Sequence, residues 1–330
     1  MPFTTGKSPQ KIPLRRIPAG KPERSFDDKI YSNKVGYMPM KIKKLLFVTR
    51  FDELRFDALE SLLDLRKAAL EHVVFLNVIE REKVAMRRGT GYGKTEELRL
   101  KEKANIRFID WAENLFEQGM EVGVYIVVGS FVQQVVSSCK KENADMVVIS
   151  PPKKGKLEQL YSGSDITEIV RRTETPLLVY KNPLQKVDVP ISPFIRPLLA
   201  MDWSPAGERA VDYLKGLSSV VEEINVIHVV DEKDLKGSTV TELQKVRKEN
   251  RSKLDRICDS LEVAGIDAKS HVYVGDAVHE VEQATQECHA TMIIIPTSGK
   301  SSWKERFIGN TPRALAERSV FPVLIIPDPS

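Results

Sequence analysis

Ten short apolar runs, each separated from the next by a longer amphipathic or polar stretch, set the rhythm of the chain from residue 41 onward. Five fall at residues 45–48, 73–78, 122–128, 146–149 and 177–180, and five at 198–201, 224–230, 268–274, 292–295 and 323–326. Short, continuous runs of this kind suit strands covered on both faces. Between them, apolar residues recur at helical spacing: Phe56, Leu59, Leu62 and Leu63; Ala210, Leu214 and Leu217; Leu254, Ile257, Leu261 and Ala264. Each set makes one apolar face on an otherwise polar helix. Strands alternating with helices predict an α/β fold, with a parallel sheet covered by helices on both sides.

The second five runs repeat the first. Shifted by 146 residues, the segment 127–181 lies on 273–327 without a gap and with 12 identities in 55 positions. Gly129 falls on Gly275, Ala144 on Ala290, Met146 on Met292, Gly163 on Gly309 and Pro176 on Pro322. The front halves align at a shift of 152, residues 44–62 on 196–214, so the first copy carries six extra residues. The polar stretch 80–97, with Gly89, Gly91 and Gly93, is the expected place for them. The prediction is two tandem, doubly wound domains of five parallel strands each, over residues 41–182 and 195–330. A linker over 183–194 joins them, and Pro183, Pro190 and Pro193 set it extended.

Charge changes the picture only at the N-terminus. Residues 1–40 hold eight basic and three acidic side chains, and six prolines, and are expected to be extended or disordered. With a net charge of +4 for the chain, the remaining residues sum to −1, which gives no reason to invoke nucleic acid. No run approaches the roughly 20 apolar residues that span a bilayer. The N-terminus lacks the apolar centre of a secretory signal, so the expected location is the cytoplasm, with no membrane partner. Cys139, Cys258 and Cys288 are scattered and read as buried or half-buried helix residues rather than disulfide or zinc ligands. The five histidines form neither H-x-x-H nor H-E-x-x-H, so no metal is expected. A G-x-S-x-G elbow, a Walker A loop and a G-x-G-x-x-G fingerprint are all missing, which argues against a serine hydrolase, a P-loop enzyme and a hydride-transfer enzyme.

In open parallel sheets ligands bind outside the carboxyl ends of the strands. After the first strand of the second copy stands Asp202, followed by Trp203, Ser204 and Pro205. Its carboxylate can accept a hydrogen bond from an adenine amino group or a ribose hydroxyl. It can equally serve, as Ser204 can, to cap the helix that begins near Pro205. The corresponding position in the first copy is Arg50, which has no acceptor to offer. Gly129 and Gly275 suit tight turns from strand to helix, with Ser130 and Asp276 as caps. After the fourth strand of the second copy, Gly299, Lys300 and Ser301 lead to Gly309, Asn310 and Thr311 at a helix start. Glycine permits close backbone approach, and free N–H groups at a helix start bind phosphate.

These residues carry a resemblance to the universal stress proteins, over about 41–182 and 195–327. The chain is similar to that family in Asp202 after strand one, in Gly275-Asp276 after strand three, in the glycine loop after strand four and in the closing stretch 319–327. The nucleotide-binding members carry G-x2-G-x9-G-[ST]. Here Pro296 stands at the first glycine, Gly299 and Gly309 match the second and third, and Asn310 takes the Ser/Thr place, with Thr311 supplying a hydroxyl one residue on. The first copy keeps only Gly163-Ser164, with Ser150 and Lys153 at the other glycine positions, and reads as a structural, degenerate copy. The resemblance implies the adenine-nucleotide α-hydrolase-like fold. It also implies a stress-response protein that binds ATP or AMP in the second copy and reports that state to a regulatory partner. Asp202 and backbone near Val229 would hold adenine or ribose, and Gly299, Lys300, Gly309, Asn310 and Thr311 the phosphates. No catalytic base is expected, and any hydrolysis would be slow. The rival reading is a scaffold or dimerisation module that has lost nucleotide in both copies, and Pro296 favours it. An ATP-using enzyme of related type finds no acid/base pair to support it. In the family, last strands pair across a two-fold axis, so the two copies are expected to form a pseudo-dimer within one chain, with a homodimer of whole chains as a further level.

Overall fold

The computed structural model describes residues 40–50, 56–84, 93–149, 163–181, 192–235, 237, 239–297 and 309–328. The basic segment 1–39, the loop positions Gly299 and Lys300, and linker residues 182–191 lie outside them.

The first copy supplies β1 (Lys44–Arg50), β2 (His72–Ile79), β3 (Glu121–Val128), β4 (Met146–Ile149) and β5 (Leu177–Val179). The second supplies β6 (Pro197–Ala200), β7 (Glu223–Asp231), β8 (Asp267–Gly275), β9 (Met292–Pro296) and β10 (Val323–Ile326). Among the described residues the helices are α1 (Phe56–Glu60), α2 (Arg81–Val84), α3 (Lys94–Glu117), α4 (Phe131–Glu142) and α5 (Gly163–Arg172) in the first copy. The second has α6 (Pro205–Lys215), α7 (Val240–Glu262), α8 (Ala277–Glu287) and α9 (Asn310–Arg318). Fourteen residues separate β2 from α3 but eight separate β7 from α7, which puts the six-residue insertion of the first copy inside 80–93.

The ten strands form one sheet in the order β3-β2-β1-β4-β5-β10-β9-β6-β7-β8. Every neighbouring pair is parallel except β5 and β10, which run antiparallel with Leu178 opposite Leu324. The two five-stranded sheets thus meet at their closing strands, as the edge-pairing expectation requires, and neither of those edges is left open. Alternate residues of a strand enter opposite layers. Leu45 and Phe47 of β1 join one core with Phe75, Phe108 and Leu254, while Leu46 and Val48 join the other with Val135, Ile169 and Leu315. Burial on both faces is why these strands read as continuous apolar runs. Both layers cross the seam, Leu178 and Leu324 in the first, Leu177 and Val323 in the second.

Local chemistry explains where the copies differ. α6 starts at an N-cap, Ser204, with Pro205 at its first position. α7 starts at a capping box between Thr239 and Glu242. α1, by contrast, ends at Glu60 and gives way to a 3-10 turn over Leu63–Ala68. At the break, Ser61 Oγ lies 2.8 Å from both the Ala58 carbonyl and the Tyr180 hydroxyl. Such a side-chain bond competes with helix continuation. Residues 192–194, assigned from sequence to the linker, are buried with the second copy. Phe194 is in its core and the Pro193 carbonyl accepts from Thr291 Oγ1 at 2.7 Å. Met40 also belongs to the folded body, because a Cβ on Gly216 would meet its carbonyl oxygen at 2.0 Å.

One side chain ties the copies together at the seam. Lys181, just past β5, donates from Nζ to the Ser319 carbonyl at 2.5 Å and the Leu315 carbonyl at 3.3 Å. A cation of the first copy thereby caps the C-terminal end of α9 in the second, the end of a helix that attracts positive charge.

Candidate functional site

The strand order of the second copy reverses between β6 and β9, and the cleft outside their carboxyl ends is where the fold presents a ligand site. Asp202 stands on that rim, two residues past β6. Its Oδ1 accepts from the Ser204 N–H at 3.0 Å and the Ser204 hydroxyl at 2.5 Å. Ser204 Oγ in turn accepts from the Gly207 N–H at 3.1 Å. The cap of α6 is therefore Ser204, and Asp202 supports it from behind. Burial pushes the Asp202 carboxyl above its ordinary value; the bonds from Ser204 pull the other way, and the nearby Asp328 carboxylate adds to the upward push. Gly207 allows the close approach, since a Cβ there would lie 2.7 Å from Met201 Sδ and 3.1 Å from Asp202 Oδ1.

The residues on either side of Asp202 are held by one imidazole. Trp203 has a left-handed backbone, φ +61°, rare for a bulky side chain. Its indole N–H donates to His228 Nε2 at 3.2 Å, and His228 Nδ1 lies 2.8 Å from the Met201 carbonyl oxygen. With Nε2 accepting, the ring proton sits on Nδ1 and is donated to Met201. His228 of β7 thus clamps positions 201 and 203 and leaves Asp202 between two fixed neighbours. Lys253 Nζ lies 5.4 Å above the Trp203 ring. This clamp escaped the sequence reading, because nothing in Asp-Trp-Ser-Pro marks the tryptophan as left-handed or pairs it with a histidine 25 residues on.

Val229 is on β7. In a parallel ladder a residue's N–H and carbonyl point to the same side, alternating along the strand. The Ile227 carbonyl accepts from the Met201 N–H at 2.7 Å, so Val229 directs its backbone groups along the same line, beyond the last residue of β6. Pro296 is the buried last residue of β9, in register with Ile326, rather than part of the loop. The Thr297 N–H bonds the Ile326 carbonyl at 2.9 Å, so the proline nitrogen faces β6, whose pairing with β9 stops at Leu199. The proline therefore removes a donor from the cleft rim and not from the ladder.

α9 begins at Asn310 with Gly309 as its extended N-cap, φ −62° and ψ 164°. The backbone N–H groups of Asn310 and Thr311 have no acceptor within the helix, and Arg313 makes the first such bond, to the Gly309 carbonyl at 3.3 Å. Pro312 between them has no N–H, so the helix start offers two donors where three are usual. In the sequence Pro312 carries no mark of being the third residue of the helix.

The first copy is built differently at the same place. β1 runs on through Arg50, which pairs with Val78, so the positions matching Met201 and Asp202 stay inside the ladder. At the first of these positions Thr49 Oγ1 accepts from Asn77 Nδ2 at 3.1 Å. A cleft of about 380 Å³ opens farther along the strand ends, beside Gly129 and Ser130, with Glu80 and Asp165 on its walls. Arg81 lines the same cleft, so its walls carry both signs of charge. Ser130 begins α4 without a side-chain capping bond, whereas Asp276 caps α8 by accepting from the His279 N–H at 3.0 Å. Among the described residues no cluster of His, Cys, Asp or Glu is arranged to hold a metal ion, and no helix is long and apolar enough to cross a membrane.

The sequence model of the universal stress protein family matches residues 41–181 and 196–327, the two halves of the sheet. The chain belongs to that family. Universal stress protein MJ0577 of Methanocaldococcus jannaschii is 24% identical over 149 residues, which cover 39% of this chain and 92% of that protein. Universal stress protein YxiE of Bacillus subtilis is 24% identical over 146 residues, 40% of this chain and 99% of its own length. Each relative thus corresponds to one copy of the repeat. A universal stress protein from Archaeoglobus fulgidus superposes with a TM-score of 0.66 at 21% identity, over 88% of this chain and 97% of that one. At that identity the likeness bears on the fold, and its coverage spans both universal stress protein units.

Proposed function

We propose that this tandem universal stress protein binds an adenine nucleotide, ATP or AMP, in its second copy, and acts in the cytoplasm as a stress-response regulator without catalytic machinery of its own. The observations that support the reading are the half-buried Asp202 carboxylate, set between two clamped neighbours on the rim past β6, and a helix start after β9 whose Asn310 and Thr311 N–H groups have no acceptor within the helix. Asp202 would accept from the base or ribose, with the Val229 backbone beside it. Gly309, Asn310 and Thr311 would face the phosphates, together with Gly299 and Lys300 of the loop. A bound nucleotide supplies charge and shape that a partner protein can read, and no residue here is assigned to bond cleavage. Calorimetric titration with ATP and AMP tests the assignment. A hydrogen bond to a charged group contributes about 1.5–3 kcal/mol, so Asp202→Ala should weaken binding about ten- to a hundredfold. Gly309→Val should do at least as much by crowding the helix start, while Gly163→Val in the first copy should change little. Unchanged binding in Asp202→Ala, or equal loss from Gly163→Val, refutes the site.

The second reading, a scaffold that has given up nucleotide, is favoured by two prolines. Pro296 takes a donor from the rim and Pro312 another from the helix start. Purified protein that carries no nucleotide and shows no heat with either ligand would decide for the scaffold.

A further inference from the structure

α3 carries large apolar side chains on two sides, the outer one shared with Glu102, Asn105 and Glu113. Leu100, Ala104, Phe108 and Leu115 are buried against the sheet. On the other side Leu98, Ile106, Ile109 and Phe116 are 59%, 60%, 46% and 75% exposed. At about 100° per residue, Leu98, Ile109 and Phe116 project within about 20° of one another and Ile106 stands on their flank. The stripe is about 27 Å long at 1.5 Å per residue. Its counterpart α7 has exposed large apolar side chains at its two ends, Val240 at its first position and Val263 at its C-cap, and is polar along its outer side between them. The repeat therefore folds without such a stripe, and its presence on α3 asks for a partner.

The charges say which. Residues 94–107 hold Lys94, Arg99, Lys101, Lys103 and Arg107 against Glu96, Glu97 and Glu102; Arg99 pairs with Glu96 and Lys101 with Glu97 along the helix, each at 2.6 Å, and the segment keeps an excess of two positive charges. Residues 108–117 hold Asp110, Glu113 and Glu117 and no basic side chain. Acid at the C-terminal end opposes the helix dipole, so helix stability does not account for the arrangement. Turned end over end, however, the helix complements itself. We propose that this face joins two copies of the chain, with their α3 helices packed antiparallel about a two-fold axis near residue 107. Leu98 of each copy lies against Phe116 of the other, and each basic half faces an acidic half. The contact is isologous, as closed dimers require, and the charge pairing sets its register.

Sedimentation equilibrium of the full chain from micromolar to hundred-micromolar concentration tests this. The unmodified protein should dimerise reversibly. The pair Leu98→Glu and Phe116→Glu should weaken the dimer about a hundredfold or more, since two central anchors are lost. Both positions are exposed, so at concentrations where both proteins are monomeric its thermal midpoint should not move. Two further variants carry the charge argument. Arg99→Glu with Lys101→Glu, and Glu113→Lys with Glu117→Lys, should each weaken self-association about tenfold. An equal mixture of the two should restore it, because every acidic half then meets a basic one. An unmodified protein that stays monomeric overturns the proposal, whatever covers the stripe, residues 1–39 included. So does a dimer that survives loss of Leu98 and Phe116, or a mixture that fails to associate.

Discussion

Replacing Lys181 by methionine keeps the length of the side chain and removes its charge from the seam. Burial lowers the Lys181 pKa from 10.5 to about 8, with Glu282 and Glu317 opposing that fall. In the unfolded chain the ammonium returns to water and to its ordinary value. Between about pH 8 and 10.5 the unfolded state therefore binds more protons than the folded one, and stability must rise with pH. The contribution of this group is fully present above about pH 10.5 and is lost as pH falls through 8. The gap between the two values corresponds to about 3 kcal/mol. At pH 7 the methionine variant is relieved of a desolvated charge but leaves the Ser319 carbonyl without its donor, and these effects oppose one another. The diagnostic is the slope. Urea melts of both proteins at intervals from pH 7 to 11 should show the unmodified protein gaining about 3 kcal/mol on the variant. Cys258, pushed to about 11, and Tyr273, pushed to about 12, titrate in both proteins and cancel in the difference. A difference that stays flat, or falls as pH rises, would refute the claim that a desolvated cation caps α9.

Two further outcomes follow from single contacts. His228→Phe keeps an aromatic ring but strands the Trp203 indole and the Met201 carbonyl, at an expected cost of about 1–3 kcal/mol in urea and with faster hydrogen exchange at the indole N–H; a cost near zero with unchanged exchange would dissolve the clamp. Gly216→Ala should lower stability by about 1–3 kcal/mol, because its Cβ would press on the Met40 carbonyl, and an unchanged midpoint would show that residue 40 moves aside freely.

Much of the architecture could be read from the chain because the two-sided burial of each strand writes itself as an uninterrupted apolar run. Residues 45–48 and 292–295 are of this kind, and the strands lie where those runs fall. The six extra residues were legible because helices and strands on either side of 80–93 keep their own spacing. What was not legible depends on partners far away in sequence. Ser61 ends α1 beside a hydroxyl 119 residues later. β1 continues two residues farther than its counterpart because Thr49 and Arg50 stay paired to β2. In the candidate site, Asp202 and the helix start at Asn310 were visible as residue types after strands. The division of labour between Asp202 and Ser204 was not, since both can cap a helix and only the geometry separates them. Pro296 looked like a loop residue by analogy with glycine, yet a proline at the end of a strand is tolerated when its nitrogen faces no ladder partner.

The antiparallel seam between β5 and β10 has a consequence for how the two halves change over time. In a pair of identical separate chains every substitution appears twice, and the pairing weakens on dilution. Here the partner is tethered, at an effective concentration that can reach the millimolar range, so the seam persists however scarce the protein is. Each half is also encoded by its own stretch of sequence. Arg50 can stand where its twin has Asp202, and Lys181 can reach across to a helix end that has no reciprocal lysine, without any change being imposed on the other side. Symmetry is kept where the strands meet and is optional everywhere else.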